Sequence, residues 1–317
     1  MGQGFLGFVG LGKETTLGTA VAATDYLEAL NENVKVDIDR FETRNIVGGF
    51  HEPDDSTGLR RVSGDISMFG HPVSMGHILK AAMNTLSGSV VLSGFLWTSR
   101  FITPKSEFAY GAPTQPYTFE IYRDVTSSHR YAGMQLNRMT MALGINQDLR
   151  LGTSWIGVAG TLLQATSPTF PGSSTEPFTF DTASVQLGGS ANARIEALTV
   201  TVDNQLEGIA SLNNSTAIRL LRRRGPQTAR ISGSIDFQDV TEYLDFINQT
   251  ERALNISVTK ANSFQLVIAV PRFQYTGFPT GIPGRERLTV AFEGKARYHV
   301  ASGVAIDFQL TTTKSNW

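Results

Sequence analysis

The sequence contains no cysteine. That excludes disulfides and cysteine-based zinc sites, and with them the small stapled secreted domain. Long apolar runs are also missing: nothing approaches the ~20 residues of a membrane helix. There is no basic leader. The opening MGQGFLGFVGLGK is broken by Gly7 and Gly10 and makes a poor signal peptide. Leu6 stands where a myristoylation signal needs Ser or Thr. Neither sign of charge is in excess, with 27 basic against 28 acidic residues and a net charge of −1. Nothing global therefore calls for nucleic acid or a membrane as a tight partner. The expectation is a soluble chain made in a cytoplasm. The Asn-x-Ser/Thr matches at Asn213, Asn214, Asn248 and Asn255 are then chance.

Recognisable catalytic chemistry is missing too. Gly7–Glu14 nearly fits a phosphate-binding loop, but Glu14 replaces the hydroxyl that would meet magnesium and would repel phosphate. Gly10 and Gly12 lack the third glycine and the βαβ setting of a dinucleotide fingerprint. Of His51, His71, His77, His129 and His299, only His71 and His77 lie near each other in sequence, and they read as surface or turn residues. Ser154 sits in no nucleophile elbow. Asp37, Asp39 and Asp65 fall on outward strand positions, a poor setting for a catalytic pair. No enzyme, cofactor or metal site is expected.

What is present is enough hydrophobe for real cores. Apolar residues make up 41% of 317, charged residues 17%, and 31 glycines and 12 prolines punctuate the chain. That length suits two domains. In Arg61–Met83, Val62, Ile66 and Met68 alternate with Ser63, Asp65 and Ser67, and Gly64 takes one inward slot. Met75, Ile78, Leu79 and Ala82 then form one helical stripe. Arg230–Gln249 repeats this. Ile231, Ile235 and Phe237 alternate, Gly233 falls where Gly64 fell, and Val240, Tyr243, Leu244 and Ile247 make a second stripe. Asp239 with Glu242 resembles a capping box.

The rest is arranged around these copies. Met1–Ala29 is a Gly/Thr/Ala-rich arm, disordered or tied down by a partner. Val34, Val36 and Ile38 alternate inward with Lys35, Asp37 and Asp39 outward, and Leu198–Asn204 matches them. Each is followed by a long loop, one with Gly48-Gly49 and one with Arg222-Arg223-Arg224. The arginine run reads as a solvated loop, a subunit contact or, least supported, a nucleic-acid patch. Leu86–Pro116, with strand or hairpin character at its start, is extra chain in the first copy. Leu149–Leu163 reads as one strand, and Gln164–Pro177 as a linker. Tyr275–Gly277 echoes Tyr131–Gly133, and Leu288–Phe292 echoes Met139–Leu143. Several matches in one order argue duplication. The expected division is an arm at 1–30, a β domain at 31–165, a linker at 166–177 and a second β domain at 178–317.

At this point the residues resemble a family. GLGKETTLGT (Gly10–Thr19) and DYLEALNENVKVD (Asp25–Asp37) look like the start of the tail tube proteins (major tail proteins) of long, flexible-tailed bacteriophages. Leu17 replaces the usual aromatic, and Ala20 a frequent proline. RVSGDI with its helix, PFTF (Pro177–Phe180), SVQLGG (Ser184–Gly189) and LTVTVDNQLE (Leu198–Glu207) carry the likeness through both halves.

The resemblance implies a mainly β fold: two tandem, duplicated β-sandwich or barrel domains, each with one short flanking helix. It implies rings that stack into the tail tube of a virion, made in the bacterial host cytoplasm, with no membrane partner. The partners implied are the chain itself, the tape measure protein and viral DNA in the lumen, and terminator and distal tail proteins at the tube ends. Arm residues Gly12, Lys13, Glu14, Thr15, Gly18 and Thr19, with Gly48, Gly49, Arg222, Arg223 and Arg224, are the expected assembly contacts. Asp37, Asp39 and Asp65 are candidates to line the lumen. A single-domain tube protein makes a six-fold ring, so a two-copy chain is expected to make a trimeric ring with pseudo-six-fold symmetry. Competing readings are another ring-forming tail component, such as a distal tail or terminator protein, and a tandem β-sandwich binding module.

Overall fold

The computed structural model describes residues 4–42, 55–93, 96–103, 114–170, 176–212, 214–260, 264–281 and 287–317. After a 3-10 turn, Gly4–Leu6, come strands β1 (Phe8–Lys13), β2 (Asp25–Leu27), β3 (Ala29–Glu32) and β4 (Lys35–Glu42). β5 (Asp55–Phe69) runs into helix α1 (Met75–Met83). Then follow β6 (Thr85–Ser93), β7 (Leu96–Ile102), β8 (Tyr117–Tyr122), β9 (Ser127–Gly144), β10 (Arg150–Gly157) and β11 (Ala159–Gln164). The second half carries β12 (Ala183–Leu187), β13 (Ser190–Ala191), β14 (Ile195–Asp203), β15 (Leu206–Ile209), β16 (Leu220–Arg223) and β17 (Thr228–Asp236). Helix α2 (Thr241–Ile247), β18 (Glu251–Thr259), β19 (Gln265–Gly277), β20 (Thr289–Ala296) and β21 (Asp307–Thr312) complete it.

One antiparallel sheet runs through both halves in the order β4–β5–β10–β9–β14–β17–β20. A second layer lies behind each half: β2–β1–β8–β9–β11 behind the first, and β12–β18–β19–β21 behind the second. The long strand β9 serves both layers. Its start pairs with β8 and β11 and its end with β10 and β14, and Gly133, at φ +68°, marks the change. The sheets do not close into barrels, and the fold is mainly β and sandwich-like. Between the layers, Phe119 meets Trp155 edge-on at 4.7 Å, inside one continuous apolar core.

Strand neighbours match between the halves. β5 lies between β4 and β10, as β17 lies between β14 and β20. Gly64 stands opposite Trp155, and Gly233 opposite Phe292. This register corrects one expected echo: Leu288–Phe292 corresponds to Leu151–Trp155, not to Met139–Leu143. Alternation alone fits either strand, and only pairing to the glycine-bearing strand decides. Likewise Val34, Val36 and Ile38 correspond to Leu198, Val200 and Val202.

The glycines are needed, though not because a helix covers them. A Cβ on Gly64 would lie 2.4 Å from Val34 Cα, and one on Gly233 2.3 Å from the Ala197 carbonyl oxygen. The start of the neighbouring strand crosses over each glycine.

Three further expectations change. The arm is not loose. Phe8, Val9 and Leu11 are buried on β1, which pairs with β8 of the same chain. Leu149–Leu163 is not one strand. It splits at Val158 into β10 and β11, which pair with different parts of β9. The extra chain after α1 forms the β6–β7 hairpin, and β7 pairs with β21 from the far end of the sequence. Among the described residues, two strand pairs join the halves, β9 with β14 and β7 with β21, with isolated bridges at Arg60–Ala217 and Asp148–Thr179.

Candidate assembly surfaces

The arm motif builds a turn inside the chain. Glu14 is 1% exposed. Its Oε1 accepts from Thr118 Oγ1 at 2.6 Å and the Gly133 N–H at 2.8 Å, and its Oε2 accepts from the Gly18 N–H at 2.8 Å. Three donors satisfy a buried carboxylate. Gly18 adopts φ +78°, and a Cβ on Gly12 would lie 2.3 Å from the Ala22 carbonyl oxygen. Lys13 Nζ donates to the Trp317 carbonyl at 2.9 Å. Of the six arm residues, only Lys13, Thr15 and Thr19 are exposed. Gly48 and Gly49 lie outside the described residues.

The arginine run is part of a small hairpin, β15–β16, rather than a bare loop. Arg222 and Arg224 face solvent. Arg223 turns inward and donates to Asn204 Oδ1 at 3.2 Å, while Asn204 and Gln227 both donate to the Ala82 carbonyl at 3.1 Å. These donors from the second half satisfy a free carbonyl at the C-terminal end of α1.

The β9–β14 junction shows what a covered strand looks like. Val200 pairs with Met141 and Val202 with Met139, leaving them 2% and 0% exposed. Their counterparts on β4, Val36 and Ile38, are 38% and 45% exposed, with Phe41 open beside them. Among the described residues, β4 pairs only with β5. The alternation of β4 is as expected, but its apolar face beyond Val34 is uncovered.

The helices differ in the same way. Met75, Ile78, Leu79 and Ala82 of α1 are all buried. On α2 the corresponding stripe is divided: Val240, Leu244 and Ile247 are exposed, whereas Tyr243 packs with Phe246 against the core. The inward side of α2 carries two acidic residues beside those aromatic rings. Glu242 Oε1 accepts from Asn192 Nδ2 at 3.1 Å and also from Arg194, and Asp245 Oδ1 accepts from Arg252 Nη2 at 2.8 Å. Asp239 caps the helix through the Thr241 N–H at 2.8 Å, but Glu242 does not complete the expected box. The helix thus keeps an apolar anchor on the core and leaves a second apolar patch, Val240, Leu244 and Ile247, on the surface.

The solvent face of the long sheet is polar. Asp37, Asp39 and Asp65 share it, opposite buried Val62, Ile66 and Met68. Three charge pairs lie there, Lys35–Asp37 at 2.9 Å, Arg61–Asp39 at 3.0 Å and Arg138–Asp203 at 2.9 Å, beside the exposed cations Arg230 and Lys295. Between them lie small side chains such as Ser63, Ser67, Ser154, Thr140, Thr201 and Ser232.

His77 is a structural group. It packs edge-on against Trp317 at 5.3 Å, and its Nε2 lies 3.2 Å from Lys314 Nζ and 3.3 Å from Asp25 Oδ2. Burial first, then the nearby Lys314 and Lys13, push its pKa below 6.5, against the pull of Asp25. Folding therefore favours the neutral ring. As pH falls through 6.5, the unfolded chain takes up a proton that the folded chain resists, so stability drops. Calorimetric melting between pH 7 and 5 should show this loss in the wild type and a shallower slope in His77→Gln.

Among the described residues no helix is long and apolar enough to cross a membrane, and no cluster of three or more His, Asp or Glu is placed to hold a metal. Compared with curated proteins, the chain has no match. The family model described as "Phage tail tube protein" matches residues 4–296. The chain belongs to the phage tail tube protein family, structural proteins of the virion tail.

Proposed function

We propose that three chains close into a ring of six equivalent units, and that rings stack into the tube through which viral DNA leaves the particle. The chain is taken as two fused copies of one unit, joined by the segment at 166–177. The observation that carries this reading is the contrast between matched surfaces. Val200 and Val202 are covered by a neighbouring unit, whereas Val36 and Ile38 are open. The stripe of α1 is covered, whereas three of the four stripe residues of α2 are open. One open surface lies on the first unit and the other on the second. A head-to-tail contact that repeats the internal junction satisfies both, and such contacts close into rings when the rotation allows. Sheet edges are then paired rather than exposed.

The polar face of the sheet becomes the channel wall. Three paired charges and many short hydroxyl side chains leave phosphates few cations to grip, chiefly Arg230 and Lys295, which suits passage rather than retention of DNA. The tape measure protein would occupy the same channel before ejection, and terminator and distal tail proteins would cap the ends. Mass measurement of isolated rings tests the stoichiometry: three chains per ring are expected, and six would sink the pseudo-six-fold reading. Electron microscopy should show tubes at high protein concentration. Rings that never stack would favour a terminator or distal tail protein.

A further inference from the structure

β21 and β11 occupy matching places in the two halves. β21 lies on β19 as β11 lies on β9. Their outer edges differ. The edge of β21 is filled by β7, in register from Asp307 opposite Ile102 to Thr312 opposite Trp97. Thr98 Oγ1 meets Thr311 Oγ1 at 2.8 Å, and Arg100 Nε donates to Asp307 Oδ2 at 2.7 Å. Among the described residues, no strand takes the outer edge of β11.

The second half has nothing to offer it. Between α1 and β8 lie the two strands of the hairpin, whereas α2 ends at Ile247 and β18 begins at Glu251. A ring of such chains would carry two matching edges per chain and only one hairpin. The edge is also undefended. β11 reads AGTLLQ, with no charge and no proline, and Thr161, Leu162 and Gln164 are exposed, Leu162 by 67%. Edge strands are ordinarily blunted by lysine, proline or a bulge, because their free N–H and C=O groups template pairing.

We propose that the outer edge of β11 is a strand-accepting site for an extended segment of another protein, one rich in apolar side chains with small hydroxyl residues between them, as Trp97, Thr98, Ser99 and Phe101 are arranged on β7. Main-chain hydrogen bonds hold it, and Leu162 supplies side-chain contact. The inference rests on the match between β11 and β21 and needs no ring.

The test uses the intact chain and a fluorescent peptide of sequence LWTSRFI, copied from Leu96–Ile102. Anisotropy should saturate at one peptide per chain, and hydrogen exchange should slow across Ala159–Gln164. A Thr161→Lys/Leu162→Lys double variant changes exposed side chains only. It should weaken binding about tenfold or more, with unchanged melting. Absence of saturable binding would overturn the proposal. So would binding that the variant leaves intact, since the peptide would then sit elsewhere, for instance on β21. Concentration-dependent self-association that the variant abolishes would also overturn it, by making the occupant a second copy. Ring formation is scored separately, so peptide binding without rings would sink the tube reading and leave this one standing.

Discussion

Leu244→Asp/Ile247→Asp is expected to yield a folded chain that no longer forms rings. Both residues are exposed in the single chain, so the change in its stability should be small, within about 0.5 kcal/mol. At the closed contact the cost is different. Each truncated apolar anchor is worth about 2 kcal/mol, and a carboxylate buried without a partner adds a further penalty. About 4 kcal/mol weakens one contact roughly a thousandfold, and a closed ring repeats that contact at every chain boundary. Val36→Asp/Ile38→Asp on β4 should do the same from the opposite side. The matched positions give the control. Val200→Asp or Leu79→Asp should unfold the chain rather than dissociate it, because both side chains are buried within the single polypeptide. Light scattering and circular dichroism of the variants separate the two outcomes. Wild-type rings from the α2 double variant would disprove the assignment of that surface.

The second large effect is on folding. Gly64→Ala and Gly233→Ala should each cost on the order of 3 kcal/mol, lowering Tm by several degrees. The added Cβ would sit 2.4 Å from Val34 Cα in one case and 2.3 Å from the Ala197 carbonyl oxygen in the other. Both obstacles are backbone, which cannot rotate away as a side-chain tip can. Gly152, with nothing within 4 Å of the same hypothetical atom, should tolerate alanine and serves as the control. Thermal melting decides, and a Gly64→Ala chain as stable as wild type would show that the strand start can move.

Much of the fold was legible because alternation reports strands well. Lys35–Glu42 and Thr228–Asp236 overlap the period-two patterns at Val34–Ile38 and Ile231–Phe237, and Gly64 and Gly233 stand at matching places in the strand register. Period two does not say what covers a face. The sequence Val-Lys-Val-Asp-Ile reads the same whether a neighbouring strand is present, as at Val200, or absent, as at Val36. The α2 stripe misled for a related reason. Helical spacing shows that an apolar side exists, whereas Arg194 and Arg252, far apart in sequence, drew Glu242 and Asp245 to the inside. The arm looked loose because β1 owes its burial to β8, more than a hundred residues later. Of the expected contact residues, Glu14 and Arg223 serve the chain itself, and comparing burial between the halves pointed to Val36, Ile38, Leu244 and Ile247 instead.

The pairing of β7 with β21 also has a consequence in time. Thr98 waits for Thr311, 213 positions later. At a synthesis rate of roughly 5–20 residues per second, the hairpin emerges roughly 10–40 seconds before the strand that completes its sheet. During that interval the nascent chain holds an unmatched β edge, open to other strands on the same polysome. The native contact order is correspondingly high, so the final docking step should be slow. Only a chain translated through β21 can settle this edge, which makes the emergence of that strand the natural trigger for the fold to lock.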